Sequence, residues 1–234
     1  MFKFLNTLFI IIIICFLTIG YFKLKYPFWS RQPVFHYHKL NYWILPPGII
    51  DENLPIKNRF YDYDIEYYNT DLISTEKKEQ FYKFIKNHFL PNHQEHYNPP
   101  TKESIFDNFL HHNDKSFLSM KIYKNDILSC MTSKPLNCYL DGNKMTINYV
   151  DYLCVHKKHR KKSYAAKQIY THYCHTRNHS NNIVSFFKRE NRNIFVVPFT
   201  VCNNYLFKHD NWELALNFKV PNINIVFINK TNMN

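Results

Sequence analysis

Glycine is nearly missing from this chain: of 234 residues, only Gly20, Gly48 and Gly142 are glycine. Neither G-x-G-x-x-G nor G-x-x-x-x-G-K can be written from those positions, so dinucleotide-binding and Walker-type phosphate loops are excluded. The six cysteines (Cys15, Cys130, Cys138, Cys154, Cys174, Cys202) nowhere form C-x-x-C, the spacing of common zinc and redox motifs. Cys15 falls in an apolar N-terminus, and the other five read as free thiols of a reducing compartment. Acidic residues are also short, 18 against 30 Lys and Arg, which leaves a formal charge of +12. Charge of that sign favours a polyanionic partner, whether nucleic acid, acidic membrane or phosphorylated cofactor, without choosing among them. No internal repeat is visible.

The longest uncharged run is FLNTLFIIIIICFLTIGYF, residues 4–22. At about 1.5 Å rise per residue, such a helix nearly spans a hydrocarbon core of about 30 Å. It is long for a signal peptide and no A-x-A-like cleavage site follows, so it reads as a transmembrane anchor. Tyr21 and Phe22 suit the interface. Lys3 alone precedes the run, whereas Lys23, Lys25, Arg31 and Lys39 follow it, so the positive-inside bias places residues 23–234 in the cytosol as a single-pass domain. Glycans at the sequons of Asn178 or Asn229 would contradict that topology.

Beyond the anchor, residues 23–58 are punctuated by Pro27, Pro33, Pro46 and Pro47, which forbid long helices. Residues 71–90 form a helix pattern with Ser74 as N-cap, a stripe of Phe81, Phe84, Ile85, Phe89 and Leu90, and Pro91 as stop. A second helix is expected over 101–112 behind Thr101. FLSMKIYKND alternates into a turn at Asn125-Asp126. Residues 127–155 read as strand, break at Lys134-Pro135, strand, hairpin at Asp141-Gly142, strand. SYAAKQIYTHYCHTR is helical, with Ala165, Ile169 and Tyr173 on one face. NNIVSFF, NIFVVPF and INIVFIN supply short strands. The expected fold is α/β, a mixed, largely antiparallel sheet flanked by helices.

The junction at 155–166 carries chemistry. A strand ends at Val155 and a helix starts near Ser163, with His156, Lys157, Lys158, His159, Arg160, Lys161 and Lys162 between them. A helix start offers unpaired N–H groups and partial positive charge, so basic side chains there oppose the macrodipole unless an anion is present. The cluster therefore reads either as a phosphate site or as a solvated basic turn.

YLCVHKKHRKK resembles the signature of glycylpeptide N-tetradecanoyltransferases (N-myristoyltransferases), a pattern close to F-L-C-V-H-K-K-L-R-[ST]-K-R. YPFWSRQPV is similar to the family's FW-x-T-Q-P-V, at about the family's interval from the first. NYWILPPGI, HYNPPTKESIFDNFL and ILSCMTSKP resemble further family segments, so the likeness covers about residues 26–215. It implies a GNAT-like acyl-CoA N-acyltransferase fold, with myristoyl-CoA as co-substrate and the N-terminal glycine of a peptide as acceptor. By the same resemblance, the backbone N–H groups of Tyr152 and Leu153 form an oxyanion hole for the thioester carbonyl. Arg160, Lys161, Lys162, Ser163 and Ala165 cradle the CoA phosphates, and Tyr26, Phe28, Trp29 and Gln32 lie against the acyl-CoA. The chain departs from the pattern at Arg31, Ser163 and Ala166, where the family has Thr, Arg and Pro. The family's acidic stretch near the peptide terminus falls at His88–Pro91, which holds no carboxylate. The chain also ends near the close of the family's first half, whereas the family's base is the carboxylate at the end of its second half.

Three functions are compatible with these residues. The first is a membrane-anchored N-acyltransferase, with His156 or His175 as base by residue type. The second is a non-catalytic, membrane-anchored protein that binds acyl-CoA or a lipidated partner. The third is a nucleic-acid binder, supported only by the basic run that the phosphate reading already explains, so no specific nucleic acid is expected. His36/His38 and His93/His96 have metal-like spacing but no supporting Cys or carboxylate pattern, and no metal is expected. Cys154 lies on an apolar strand and reads as packing. Ser185 and Thr200 have no visible base partner.

Overall fold

The computed structural model describes residues 2–46, 48–89, 100–110, 112–140, 142–188, 196–198 and 200–201. Two compact units divide the chain, Met1–Val197 and Pro198–Asn234; the first holds every element described below.

The chain opens with helix α1, Phe2–Lys25, which is long and apolar enough to cross a membrane and has none of its apolar stretch buried. Beyond the end of α1, a 3-10 turn, Trp29–Arg31, and the short helix α2, Leu40–Ile44, are the helical pieces among the described residues of the proline-punctuated segment. Strand β1, Ile65–Asn69, leads to helix α3, Thr75–His88. Ser74 caps α3 by accepting the N–H of Lys77, as expected of a Ser at N-cap. Helix α4, Lys102–Asp107, is capped in the same way by Thr101, which accepts from Ser104. It is shorter than the 101–112 pattern suggests. Four strands complete the sheet: β2, Phe117–Tyr123; β3, Asp126–Leu140; β4, Asn143–Val155; and β5, Ser185–Phe187. Helix α5, Tyr164–His179, lies between the last two.

The sheet order is β1-β2-β3-β4-β5, antiparallel except for the parallel β4–β5 pair, which is the mixed, helix-flanked sheet expected. Lys124 and Asn125 both take positive φ and close the β2–β3 hairpin, one residue earlier than the sequence suggests. Leu140 pairs with Asn143, so two residues close the next hairpin, with Gly142 at φ +78°. The expected break at Pro135 does not occur, and β3 runs straight through it. Its partner Asn148 sends its N–H to the Val184 carbonyl, just before β5, so the two residues do not exchange ladder bonds. Pairing of β2 with β3 stops at Ser133, so the missing proline N–H falls on a free edge.

One face of the sheet packs on α3 and α4. Phe81, Ile85, Ile105, Leu118, Met120, Cys130 and Cys154 form that core, with the α3 stripe read from the sequence at its centre. Helix α5 covers the other face. Its expected apolar side, Ala165, Ile169 and Tyr173, is only half-buried, and its innermost residues are the polar Gln168, Thr171, His172 and Thr176. The inner face of β2 and β3 explains this, because it presents the buried hydroxyls of Ser119, Ser129 and Ser133. The His172 ring bridges Ser119 Oγ (2.7 Å from Nδ1) and Ser133 Oγ (2.8 Å from Nε2), and Gln168 bonds Ser119 and Ser129. Hydrogen bonds thus seat this helix where a packed apolar stripe normally would. The expected strands at 193–199 and 223–229 lie mostly outside the described residues; Val196 makes a single bridge to His36.

Candidate functional site

Strand β4 carries a bulge. Cys130 pairs with Cys154 and Thr132 with Asp151, so Tyr152 and Leu153 together face the single residue Met131. Tyr152 takes φ +45°, a conformation that costs a non-glycine residue about 1–2 kcal/mol and persists only where surroundings enforce it. The surroundings are visible. Thr132 Oγ1 donates to the Asp151 carbonyl at 3.0 Å, Cys130 Sγ to the Tyr152 carbonyl at 3.5 Å, and the Tyr152 ring packs edge-on to Phe81 and obliquely on Phe89 of the α3 end. The Asp151 and Tyr152 carbonyls are thus both engaged by β3 side chains, which holds the bulge in place. Strand β5 pairs only with Asn148–Val150, so among the described residues β4 has no neighbour on that edge from Asp151 onward. The bulge therefore lies at the mouth of a split between two parallel strands.

The basic turn follows directly. His156–Lys162 includes a 3-10 turn, Lys157–His159, and α5 starts at Tyr164. Lys161 and Ser163 adopt left-handed conformations, φ +63° and +62°. Ser163 occupies the N-cap position without capping, so its hydroxyl satisfies no N–H of the first turn. The α5 start thus keeps its donors for another acceptor, beside the exposed Lys161 and Lys162, and the half-buried Ala165 presents no bulk there. Arg160 is engaged differently: its Nη2 donates to the His88 carbonyl at 2.8 Å and ties the end of α3 to the turn. His88 and His156 lie ring against ring, centroids 4.1 Å apart. Burial first, then the charges of His156, Lys157 and Arg160, push His88 down to about 4.

The N-terminal motif reaches the same side of the fold. Trp29 stacks on Phe187 at the end of β5, 5.6 Å between centroids, and Phe28 is buried with Phe60, Tyr170 and Cys174 against α5. Gln32 is buried, its Nε2 donating to the Phe28 carbonyl at 3.4 Å, so it braces the motif from within. Tyr26 remains half-exposed next to Lys25. Phe28 and Gln32 are thus supports of the motif, while Trp29 and Tyr26 are its accessible members.

The two histidines named as bases are placed unfavourably. His156 is held in the His88 stack and accepts the Lys158 N–H at its Nδ1. His175 stacks on Tyr67 and meets Tyr61 Oη at 3.2 Å; it stands eleven residues into α5, about 16 Å along the axis from the helix start. Cys154 is buried, and burial pushes its thiol up to about 12, which leaves it protonated and inert. The group that sequence reasoning passed over is Asp151. Its Oδ1 accepts the Tyr152 N–H at 2.8 Å, so a carboxylate stands on the bulge itself. A carboxyl side chain just before Tyr152-Leu153 is the signal that could have found it.

Among the described residues no group of three His, Cys, Asp or Glu is placed to hold a metal. The rings of His36 and His38 stack at 5.3 Å, and His93 and His96 lie outside the described residues, as do Cys202 and Asn234. A polar cleft at the other end of the β3–β4 ribbon, lined by His112, Asn137, Thr146 and Asn182, holds no residue of the bulge or the basic turn.

Comparison with solved structures gives the same architecture. Saccharomyces cerevisiae N-myristoyltransferase with bound myristoyl-CoA is 16% identical at a TM-score of 0.53, over 69% of this chain and 40% of that one. A second structure of that enzyme with bound myristoyl-CoA is 17% identical at 0.49, over 66% and 35%. An aminoglycoside acetyltransferase from an uncultured soil metagenomic sample, in complex with sisomicin, is 16% identical at 0.37, over 54% and 76%. The chain thus spans less than half the length of the yeast enzyme. No curated protein matches the sequence. The family model described as myristoyl-CoA:protein N-myristoyltransferase, N-terminal domain, matches residues 49–186, more than half of the chain, and the chain therefore belongs to that family and corresponds to its N-terminal half.

Proposed function

We propose that this protein binds myristoyl-CoA and transfers the acyl group to the N-terminal glycine amine of a protein. The observation that carries the reading is the β4 bulge at Tyr152-Leu153, held one turn of chain before an uncapped helix start flanked by lysines. A thioester acyl donor needs both parts. Donors aimed at the carbonyl oxygen stabilise the charge that develops as the amine attacks, and phosphates need cations and free N–H groups. Ten residues, the end of β4 and the basic turn, separate the bulge from the α5 start, which suits a ligand with a thioester at one end and phosphates further along.

The membrane belongs to the same proposal. Helix α1 inserts as a single-pass anchor, with Lys23, Lys25 and Lys39 at its cytosolic end and the domain in the cytosol.

A second reading, a non-catalytic acyl-CoA binder, is favoured by one observation: the Tyr152 N–H is already taken by the Asp151 carboxylate. Incubation of the full chain with labelled myristoyl-CoA and a glycine-initiated peptide separates the two. Label on the peptide amine is expected; saturable binding without transfer would establish the second reading instead.

A further inference from the structure

We propose that Asp151 is the general base of this chain, a role that rests on the acyl-transfer reading above. Three observations converge on its carboxylate. It is half-buried at the bulge with Oδ1 on the Tyr152 N–H, which places a proton acceptor one residue from the donors that would hold the thioester oxygen. It forms no ion pair among the described residues. The register puts Thr132 opposite it and Lys134 diagonal to it; the Thr132 hydroxyl goes to the Asp151 carbonyl and the Lys134 ammonium to Asn108 Oδ1 at 3.2 Å. The titratable neighbour on its own strand, Tyr149, is pushed upward by burial and then by the Asp151 charge, so it stays a neutral phenol and offers no cation. A carboxylate at the mouth of the site without a counter-ion suits a cationic substrate group, and a protein amino terminus at neutral pH is such a group.

The bond to Tyr152 is then the resting arrangement. When an acyl-CoA carbonyl oxygen takes the bulge N–H groups, repulsion between that oxygen and the carboxylate turns the Asp151 side chain away about its own torsions. It turns toward the acceptor ammonium. Asp151 takes one proton from the ammonium, and the freed nitrogen lone pair attacks the thioester carbon. The C–N bond forms, the C–S bond breaks, and CoA leaves as a thiolate. The proton on Asp151 passes to that thiolate, and the second proton on nitrogen is released as the amide forms. The balance is thioester plus ammonium giving amide, CoA thiol and one proton, with no other reactant. Asp151 thereby resolves the conflict between the two readings of the site, because one carboxylate both occupies the donor at rest and is released by the substrate.

The test uses the full chain in detergent micelles, as wild type, Asp151→Asn and Asp151→Ala. The Asn variant keeps an oxygen for the Tyr152 N–H but cannot take a proton. It is expected to bind myristoyl-CoA within about twofold of wild type and to lose about 10²–10⁴-fold in transfer. The Ala variant is expected to lose transfer equally and to recover part of it with added acetate, which a purely structural role would not produce. With a non-reactive S-alkyl-CoA bound, a free-amine peptide should bind at least tenfold more weakly to Asp151→Asn, and its N-acetylated counterpart equally well. Wild-type transfer rates in Asp151→Asn, or a wild type that binds acyl-CoA without transferring it, would overturn the assignment. A wild type that does not bind acyl-CoA would overturn the acyl-transfer reading as well.

Discussion

His172 offers the sharpest test of how α5 is held over the sheet. Its ring is 1% exposed and joins Ser119 and Ser133, on β2 and β3, to the helix whose first turn faces the basic loop. Replacing it by Ala removes a buried ring, worth about 2–4 kcal/mol by analogy with large-to-small core changes. It also orphans the Ser133 hydroxyl, worth about 1–3 kcal/mol more, whereas Ser119 keeps the Gln168 amide. The expected loss is about 4 kcal/mol, which at about 2–4 °C per kcal/mol for a chain of this size lowers the melting temperature by about 8–16 °C. Acid gives a second readout. Burial, then the His175 charge, pushes the ring from its ordinary 6.5 down to about 3. A base whose folded pKa is depressed contributes stability that is fully present above the unfolded value. That stability falls as pH drops from about 6.5 toward about 3, at up to about 1.4 kcal/mol per pH unit. Subtracting a His172→Gln curve from wild type isolates this slope from the other depressed histidines. Thermal melts at pH 7.5 and urea unfolding at pH 7.5, 6 and 5, both followed by circular dichroism, provide the two measurements. A His172→Ala protein melting within about 3 °C of wild type, or an acid slope unchanged in His172→Gln, would refute the network as the clamp on α5.

Two further outcomes follow from charges. Lys121 sits 2.6 Å from the buried carboxylate of Asp62 and 3.2 Å from Asp64, with Lys167 at 3.5 Å from Asp62, so Lys121→Met should cost about 2–4 kcal/mol in urea unfolding. Burial alone would raise the Asp62 carboxyl, but hydrogen bonds from Lys121 and the Asp64 N–H, with both ammonium charges, hold it below its ordinary 3.8. Its contribution is therefore present above 3.8, fades as pH falls below that, and should be missing from Lys121→Met. Lys161→Ala with Lys162→Ala should weaken CoA binding about tenfold, about 1.4 kcal/mol, and flatten its salt dependence, measured by calorimetry at two ionic strengths.

Much of this protein was legible in its residues, and the failures have definite causes. The α3 stripe, the Ser74 and Thr101 caps and the hairpin at Gly142 emerge from local rules because each depends on neighbours within a few positions. Pro135 misled because its tolerance depends on which edge of β3 lacks a partner, a property of where β2 stops and of the β4 register rather than of the proline. The buried face of α5 misled because apolar periodicity cannot see serines on strands about 40–50 residues away in sequence. The strand end at Val155, the basic turn and the helix start near Ser163 were legible as a motif and a charge pattern. Gln32 and Phe28, which the resemblance places against the acyl-CoA, are buried here, and Asp151, unremarked in sequence, stands on the bulge where Tyr152 turns to positive φ beside it.

Whether the β4 bulge and the α5 start together form an acyl-CoA site is decided by titrating the full chain with myristoyl-CoA and competing with free CoA. Saturable one-to-one binding is expected, displaced by free CoA and weakened when Lys161 and Lys162 are removed. Absence of binding, or binding that free CoA does not touch, would contradict it.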